Sequence, residues 1–163
     1  MSRWLLPLTA VLIGIAIGLG AFTFVYAKGF SYLTNDPAAC ANCHIMDEHY
    51  AAWLKSSHRA VAGCNDCHTP HALVPKYATK ARNGFWHSFY FTTGNFPYPL
   101  RITERNHQVT EAACRDCHAT MTAMVDHAVA VEAVGGEATT AGLRGAQPLE
   151  CTSCHEYVGH WVR

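Results

Sequence analysis

The strongest pattern along the chain is a block of apolar residues near its start. From Trp4 to Ala27 no residue carries a charge, and Arg3 and Lys28 bracket the run. At about 1.5 Å per residue these 24 positions make a helix of about 36 Å, enough to cross a hydrocarbon core of about 30 Å. A cleaved secretory leader is the competing reading, because Val25-Tyr26-Ala27 weakly resembles a small-residue cleavage site. Leader apolar regions, however, run only ~7–15 residues. Trp4 at one end and Phe22, Phe24 and Tyr26 at the other stand where an interfacial aromatic belt would place them. The expectation is an uncleaved single-pass anchor over residues 1–28. The positive stub Met1–Arg3 then stays in the cytoplasm, and residues 29–163 form an exported, periplasmic domain. Gly14 and Gly18 make a small-xxx-small pair that could seat another helix, a weak signal in any apolar helix.

Beyond Lys28 the regular stretches have helical period. Asp36-Pro37 is a start signal, with Asp36 as N-cap and Pro37 at the first helical position, and predicts a helix to about Ser57. A second helix is expected from Pro75 to about Phe91, interrupted at Gly84 and followed by the Pro-rich turn Phe96-Pro97-Tyr98-Pro99. Thr110 with Glu111 opens a third, which ends before Gly135-Gly136; Ala138 to Pro148 reads as a surface loop. No strand pattern stands out.

Composition narrows the function. Lys and Arg total 12, Asp and Glu total 12, and the formal net charge is zero, so no nucleic-acid partner is expected. Half the residues are hydrophobic and 15% are charged, which excludes a disordered charged tail. The eight Cys and eleven His in 163 residues change the picture most. Every cysteine belongs to a C-x-x-C-H motif: Cys40/Cys43/His44, Cys64/Cys67/His68, Cys114/Cys117/His118 and Cys151/Cys154/His155. Two thiols three positions apart add across the two vinyl groups of a haem, and the adjacent His can turn its imidazole onto the iron. A disulfide framework would not require a His after every second Cys. Zinc would need paired ligand sets, and a thioredoxin-like pair would occur once, in a βαβ setting absent here. The motifs therefore predict four covalently bound haem c groups.

Four haems in the 136 residues after Ala27 leave about 34 residues each, so the macrocycles must form most of the core. The fold class expected is mainly α with little regular structure: one N-terminal transmembrane helix plus a tetrahaem cytochrome c domain. The order motif, isolated His, motif occurs twice (His44, His58, His68; His118, His127, His155), which suggests two dihaem halves, Ala38–His68 and Ala112–Tyr157. Seven His lie outside the motifs: His49, His58, His71, His87, His107, His127 and His160. His58 and His127 are the best candidates for sixth ligands, from their equivalent places in the two halves, with reach toward haems of the other half. His71, beside Pro70, reads as local packing. The first motif continues to Met46, whose thioether could ligate iron and raise its potential, or could simply pack on a porphyrin face. Spacing alone favours packing.

The apolar N-terminal run, the four C-x-x-C-H motifs and the C-x-x-C-H-x-M at Cys40–Met46 together resemble the NapC/NirT family of membrane-anchored quinol dehydrogenases. Within it, the short chain, the block Lys80-Ala81-Arg82-Asn83-Gly84-Phe85 and the stretch leading to Cys114-Arg115-Asp116-Cys117-His118 resemble the small subunits of cytochrome c nitrite reductases. The resemblance implies a quinol dehydrogenase that takes electrons from menaquinol and hands them to a periplasmic pentahaem nitrite reductase catalytic subunit. It also implies that Met46 ligates the first haem in place of His44, leaving one face open near the membrane. A lysine and an acidic residue are implied beside that haem. Lys80 suits the first, but His87 stands seven residues later where an Asp is expected.

Quinol oxidation releases two electrons and two protons, while each haem takes one electron. A base within hydrogen-bond reach of the quinol hydroxyl is needed. His87 titrates in the right range, whereas Lys80 would more naturally donate to a quinone oxygen. Axial ligation, or interfacial anchoring among Phe85, Trp86, Phe89 and Tyr90, is the alternative role for His87. The segment Lys55–Arg105 holds seven basic residues against Asp66 and Glu104, which suits anionic lipid headgroups or haem propionates. The competing functions are a tetrahaem electron carrier without its own quinol site and a terminal reductase working at its own open haem. An anchor disfavours a diffusing shuttle, and small size disfavours the reductase.

Overall fold

The computed structural model describes residues 4–125 and 149–160. Helix α1 (Leu5–Tyr26) is apolar on every face and buries none of its residues, as a membrane-spanning helix does before lipid surrounds it. Two residues past its end, Lys28, whose φ of 51° lies in the left-handed region, turns the chain into a 3₁₀ helix, Gly29–Leu33. Lys28 Nζ then donates to Asn42 Oδ1 (3.3 Å), and Asn42 Nδ2 donates to Ser31 Oγ (2.6 Å). These contacts stitch the end of the anchor to the first C-x-x-C-H motif.

Asp36 caps as expected, accepting the Ala38 N–H at 2.9 Å. The helix it opens is not the continuous one predicted to Ser57. The chain forms a 3₁₀ helix over Pro37–Asn42, turns extended at Cys43 (φ −96°, ψ 113°), and makes a second 3₁₀ turn over His44–Met46. Only then does α2 (Asp47–Trp53) begin, with Asp47 and Glu48 placed where carboxylates favour a helix N-terminus. After a run of turns closed by Trp53 Nε1 donating to Ala62 O (3.0 Å), α3 (Cys64–His68) carries the second motif.

Helix α4 (Leu73–Thr93) starts two residues before the predicted Pro75, which its first turn tolerates, and passes through Gly84 without a break. Gly84 is a site of close approach: a Cβ there would stand 3.4 Å from the Tyr32 ring. The helix stops at Gly94, whose φ of 68° gives the left-handed C-cap. Helix α5 (Glu104–Cys117) begins seven residues earlier than predicted, with Thr103 rather than Thr110 at its N-cap position. Thr110 does not cap, because its hydroxyl bonds the Asn106 carbonyl within the helix (3.1 Å). Residues 119–125 are also helical, and α6 (Cys151–Cys154) carries the fourth motif. The predicted helix end before Gly135 and the loop Ala138–Pro148 lie outside the described residues.

The molecule is mainly α, and no strand occurs among the described residues. Helix α3 packs on α5, α5 on α6, and α4 on the 3₁₀ helix that follows the anchor. Among the described residues Ala113 is the only buried hydrophobic side chain; the others buried are Thr69, Thr79 and Lys80. Polypeptide alone supplies almost no core, and that decides how the candidate site is read.

Candidate functional site

In the second, third and fourth motifs the two cysteines sit at i and i+3 of a helix, so both thiols leave one face. The following His closes the turn: His118 N–H reaches Cys114 O and His155 N–H reaches Cys151 O, each at 2.9 Å. None of the eight cysteines is in a disulfide. The thiols also order the motifs in space. The neighbouring Cys64 lowers Cys40 to about 7, and Cys40 with burial raises Cys64. Burial raises Cys67, with Asp66 and the neighbouring Cys117 adding to it. Burial likewise raises Cys114 and Cys151, and Glu111 acts on both; Cys67 adds to the shift of Cys114, and Cys114 to that of Cys151. The four motifs thus follow one another in chain order, first to last, starting beside the anchor.

Histidines gather around this string. His58 lies against His118, with ring centroids 6.1 Å apart. Two imidazoles on one metal at about 2 Å per bond stand roughly 6 Å apart, centre to centre. His58 Nδ1–H donates to the Val158 carbonyl (3.1 Å), which fixes the tautomer that leaves Nε2 free to ligate. Around His68, His160 stacks at 5.9 Å and itself stacks on His49 at 5.2 Å. Burial, with His160, His49 and His87 nearby, pushes His68 down to about 4. Thr110 gives its one proton to Asn106 O, so at 3.5 Å its oxygen faces His68 Nδ1–H as acceptor, again leaving Nε2 free. His155 and His44 are exposed, Met46 is half-buried, and His127 lies outside the described residues. His71 bridges the motifs, donating from Nε2 to Asp66 O (3.0 Å) with Nδ1 3.6 Å from Asp116.

His49 and His160 were not singled out from the sequence as ligands. A signal was present: each lies five residues after a motif His, His44 and His155. What spacing could not show is that both converge on the second motif.

The residues fit haem on structural grounds. The donor set is paired thiols with imidazoles beside them, and His49 Nδ1 is buried without a hydrogen-bond partner. Beside the packed α3 and α5 lies an open cleft of about 440 Å³, with Pro70, Ala72, Val109 and Ala112 on its apolar side and His71, Arg105, Gln108 and Asp116 on its polar side. Such mixed apolar walls with a few polar groups suit a planar cofactor.

Lys80 and His87 both lie on α4, but differently. Lys80 is 5% exposed; its Nζ donates to Thr34 O (2.6 Å) and Asn35 Oδ1 (3.0 Å) and sits 5.5 Å from the Tyr77 ring centre. Burial, followed by Lys76, lowers its pKa. Two of its three donors therefore tie α4 to the connector between anchor and first motif. His87 is more open, with Nδ1 3.3 Å from Tyr32 Oη, and desolvation lowers its pKa. Tyr32 is raised to about 12 by burial, with Cys43 and Cys40 adding, so its phenol stays protonated.

Comparison with known proteins follows the same lines. The NapC/NirT cytochrome c family, N-terminal region, matches residues 2–163. Cytochrome c-type protein NrfH of Wolinella succinogenes is 35% identical over 160 residues, covering 98% of this chain and 88% of that protein. Cytochrome c nitrite reductase subunit NrfH of Nitratidesulfovibrio vulgaris is 33% identical over 153 residues, covering 94% and 84%. Among solved structures, a chain of the cytochrome c nitrite reductase NrfHA complex bound to the HQNO inhibitor matches with a TM-score of 0.57 and 26% identity, over 90% of this chain and 87% of that one. With a family match spanning nearly every residue and the C-x-x-C-H motifs in place, the chain belongs to the NapC/NirT cytochrome c family, whose haem is covalently bound.

Proposed function

We propose that this chain is a membrane-anchored tetrahaem cytochrome c that oxidises menaquinol and passes the electrons to a periplasmic reductase, in the first place the catalytic subunit of a cytochrome c nitrite reductase. The observation that carries the reading is the succession of four motifs, the helix of each packed against that of the next, beginning where Lys28 and Asn42 join the anchor to Cys40–His44. Such a succession gives electrons one entry, at the membrane, and one exit. The relatives named as NrfH subunits, and the likeness to a chain of the NrfHA complex, support the choice of partner. The anchor is read as single-pass, with its N-terminus cytoplasmic and the haem domain periplasmic.

In this reading each cysteine pair holds one haem c, whose iron supplies one-electron redox chemistry and relay. Met46 serves the first motif, His118 is paired with His58, and His68 with His160 or His49. His155 serves the fourth. His87 is the proton acceptor: its lowered pKa keeps it neutral near pH 7, and in the tautomer that donates Nδ1–H to Tyr32 Oη its Nε2 is free to take the quinol proton. Lys80 positions the first motif against α4 and keeps one N–H for a quinone oxygen.

The test uses protein extracted from membranes at full length. Expected are four covalent haems by mass, one of them not bis-His by spectroscopy, reduction by menaquinol analogues, and copurification of a multihaem reductase. Four bis-His haems with no reduction by quinols would make the chain a plain electron carrier.

A further inference from the structure

The fourth motif raises a question of mechanical support. It lies forty residues from Glu111 in sequence, its helix α6 is a single turn, and none of its residues is buried. Among the described residues no buried hydrophobic side chain holds it, yet it stands against the third motif. Three side chains of α5 reach it. His107, Glu111 and Arg115 are spaced i, i+4, i+8 and so share one face of the helix.

Arg115 Nη2 donates to the Leu149 carbonyl. The Glu111 carboxylate accepts the Cys151 N–H at 2.6 Å on one oxygen, and the Thr152 N–H (2.9 Å) and hydroxyl (2.6 Å) on the other. Because the Thr152 hydroxyl gives its proton to Glu111, its oxygen accepts from His107 Nε2–H at 2.9 Å. The network is therefore directional, from imidazole to hydroxyl to carboxylate. The Glu111 side chain is only 13% exposed. Burial alone would raise its pKa, but hydrogen bonds from Thr152 and Cys151 more than offset this and hold it at about 2.

We infer that His107, Glu111 and Arg115 form a polar seam that fixes the fourth haem-attachment motif against the third, with Glu111 as its central positioning residue. The same helix ends in Cys114 and Cys117, so the seam sets where Cys151 stands relative to the third motif. It takes up two amide groups that a one-turn helix leaves without partners at its start. It also places a fixed negative charge beside the fourth motif, which favours the more oxidised state of a cofactor held there. The inference rests on the haem reading above only for this electronic effect; the mechanical part concerns the chain alone.

The experiment compares full-length, haem-loaded protein with Glu111→Gln, Glu111→Ala and Thr152→Val, the last removing the hydroxyl from the opposite side of the seam. Hydrogen exchange of the peptide spanning 149–155 is expected to quicken by roughly tenfold or more in Glu111→Ala, since hydrogen bonds to a charged group are being removed. Glu111→Gln keeps the shape without the charge, and should raise the potential of one haem while leaving the other three in place. Thr152→Val should give part of the exchange effect, and the double variant less than the sum. Unchanged exchange at 149–155 together with unchanged potentials would overturn the seam. If wild-type protein fails to accept electrons from quinol but the variants still loosen 149–155, the seam stands and the proposed function falls. If Glu111→Ala yields no folded protein, Glu111→Gln and Thr152→Val decide the matter by the same two readouts.

Discussion

The first motif and the other three are built from the same letters and adopt different backbones. In the second to fourth motifs the cysteines share a helical turn, and the two whose His closes that turn at 2.9 Å do so through the carbonyl of the first cysteine. In the first motif Cys43 is extended, the turn is broken, and Met46 N–H bonds Cys43 O at 2.8 Å. His44 is left exposed while Met46 is half-buried. Three residues separate the motifs' fates: Pro37 and Asp36 begin a tight 3₁₀ turn upstream, and Asp47 begins a new helix immediately downstream. The lesson is that C-x-x-C-H specifies an attachment chemistry and leaves the direction of the ligand to its neighbours. The site nearest the anchor is the one released from the helical pattern, and it is the one that the proposed function gives to the quinol.

Substitutions can break or sharpen this contrast. The largest effect is expected at Met46. Met46→Ala should lower quinol turnover on the order of a hundredfold with haem loading still at four, because even outer-shell partners of a metal site are worth about 10–100-fold. His44→Ala should do little, whereas His118→Ala should abolish the low-spin spectrum of one haem. Equal effects at His44 and His118 would erase the distinction between the motifs. Lys80→Met comes next. It leaves Thr34 O and Asn35 without their charged donor, and should destabilise the first-motif region by about 1.5–3 kcal/mol, read by thermal melting of the holoprotein.

Acid then separates the two ends. The Glu111 carboxyl is held at about 2 in the folded protein against 4.5 in the unfolded chain, so between those values the unfolded chain binds the extra proton. The stability it contributes is full above pH 4.5 and falls away as the pH drops toward 2. Wild type should lose protection at 149–155 over that window, and Glu111→Gln should show no such step; a step of equal size in both would sink the assignment. Asp36→Ala removes the first-motif cap and should cost about 1 kcal/mol, visible as faster exchange at Ala38. Smallest is Gly84→Ala. A new Cβ meets the Tyr32 ring at an ordinary 3.4 Å, and the gain in helix propensity of about 1 kcal/mol should leave melting unchanged or slightly raised.

Some elements were legible in advance and others were not, for reasons that can be named. The anchor was plain because twenty-odd apolar residues have no other stable solution at a membrane. The Asp36 cap was plain because a carboxylate before Pro is a local arrangement. The helix boundaries at α2, α4 and α5 were misplaced because they depend on distant contacts. Gly84 lies where Tyr32, 52 residues earlier, comes against the helix, and α5 extends back to Glu104 along its contact with α3. His58 was read from its place between motifs. His160 and His49 needed the fold to show that they converge on His68.

By itself, the sequence determined what is attached and where the chain is tethered: covalent bonds and transfer from water into lipid depend on residue type and short spacing, which are local quantities. Only the tertiary structure decided which histidine faces which motif, that Lys80 is committed to the backbone at Thr34, and that Glu111 grips Cys151 and Thr152. Those are contacts between residues tens of positions apart. They arise from packing directions and hydrogen-bond geometry, and a linear string of residues does not carry them.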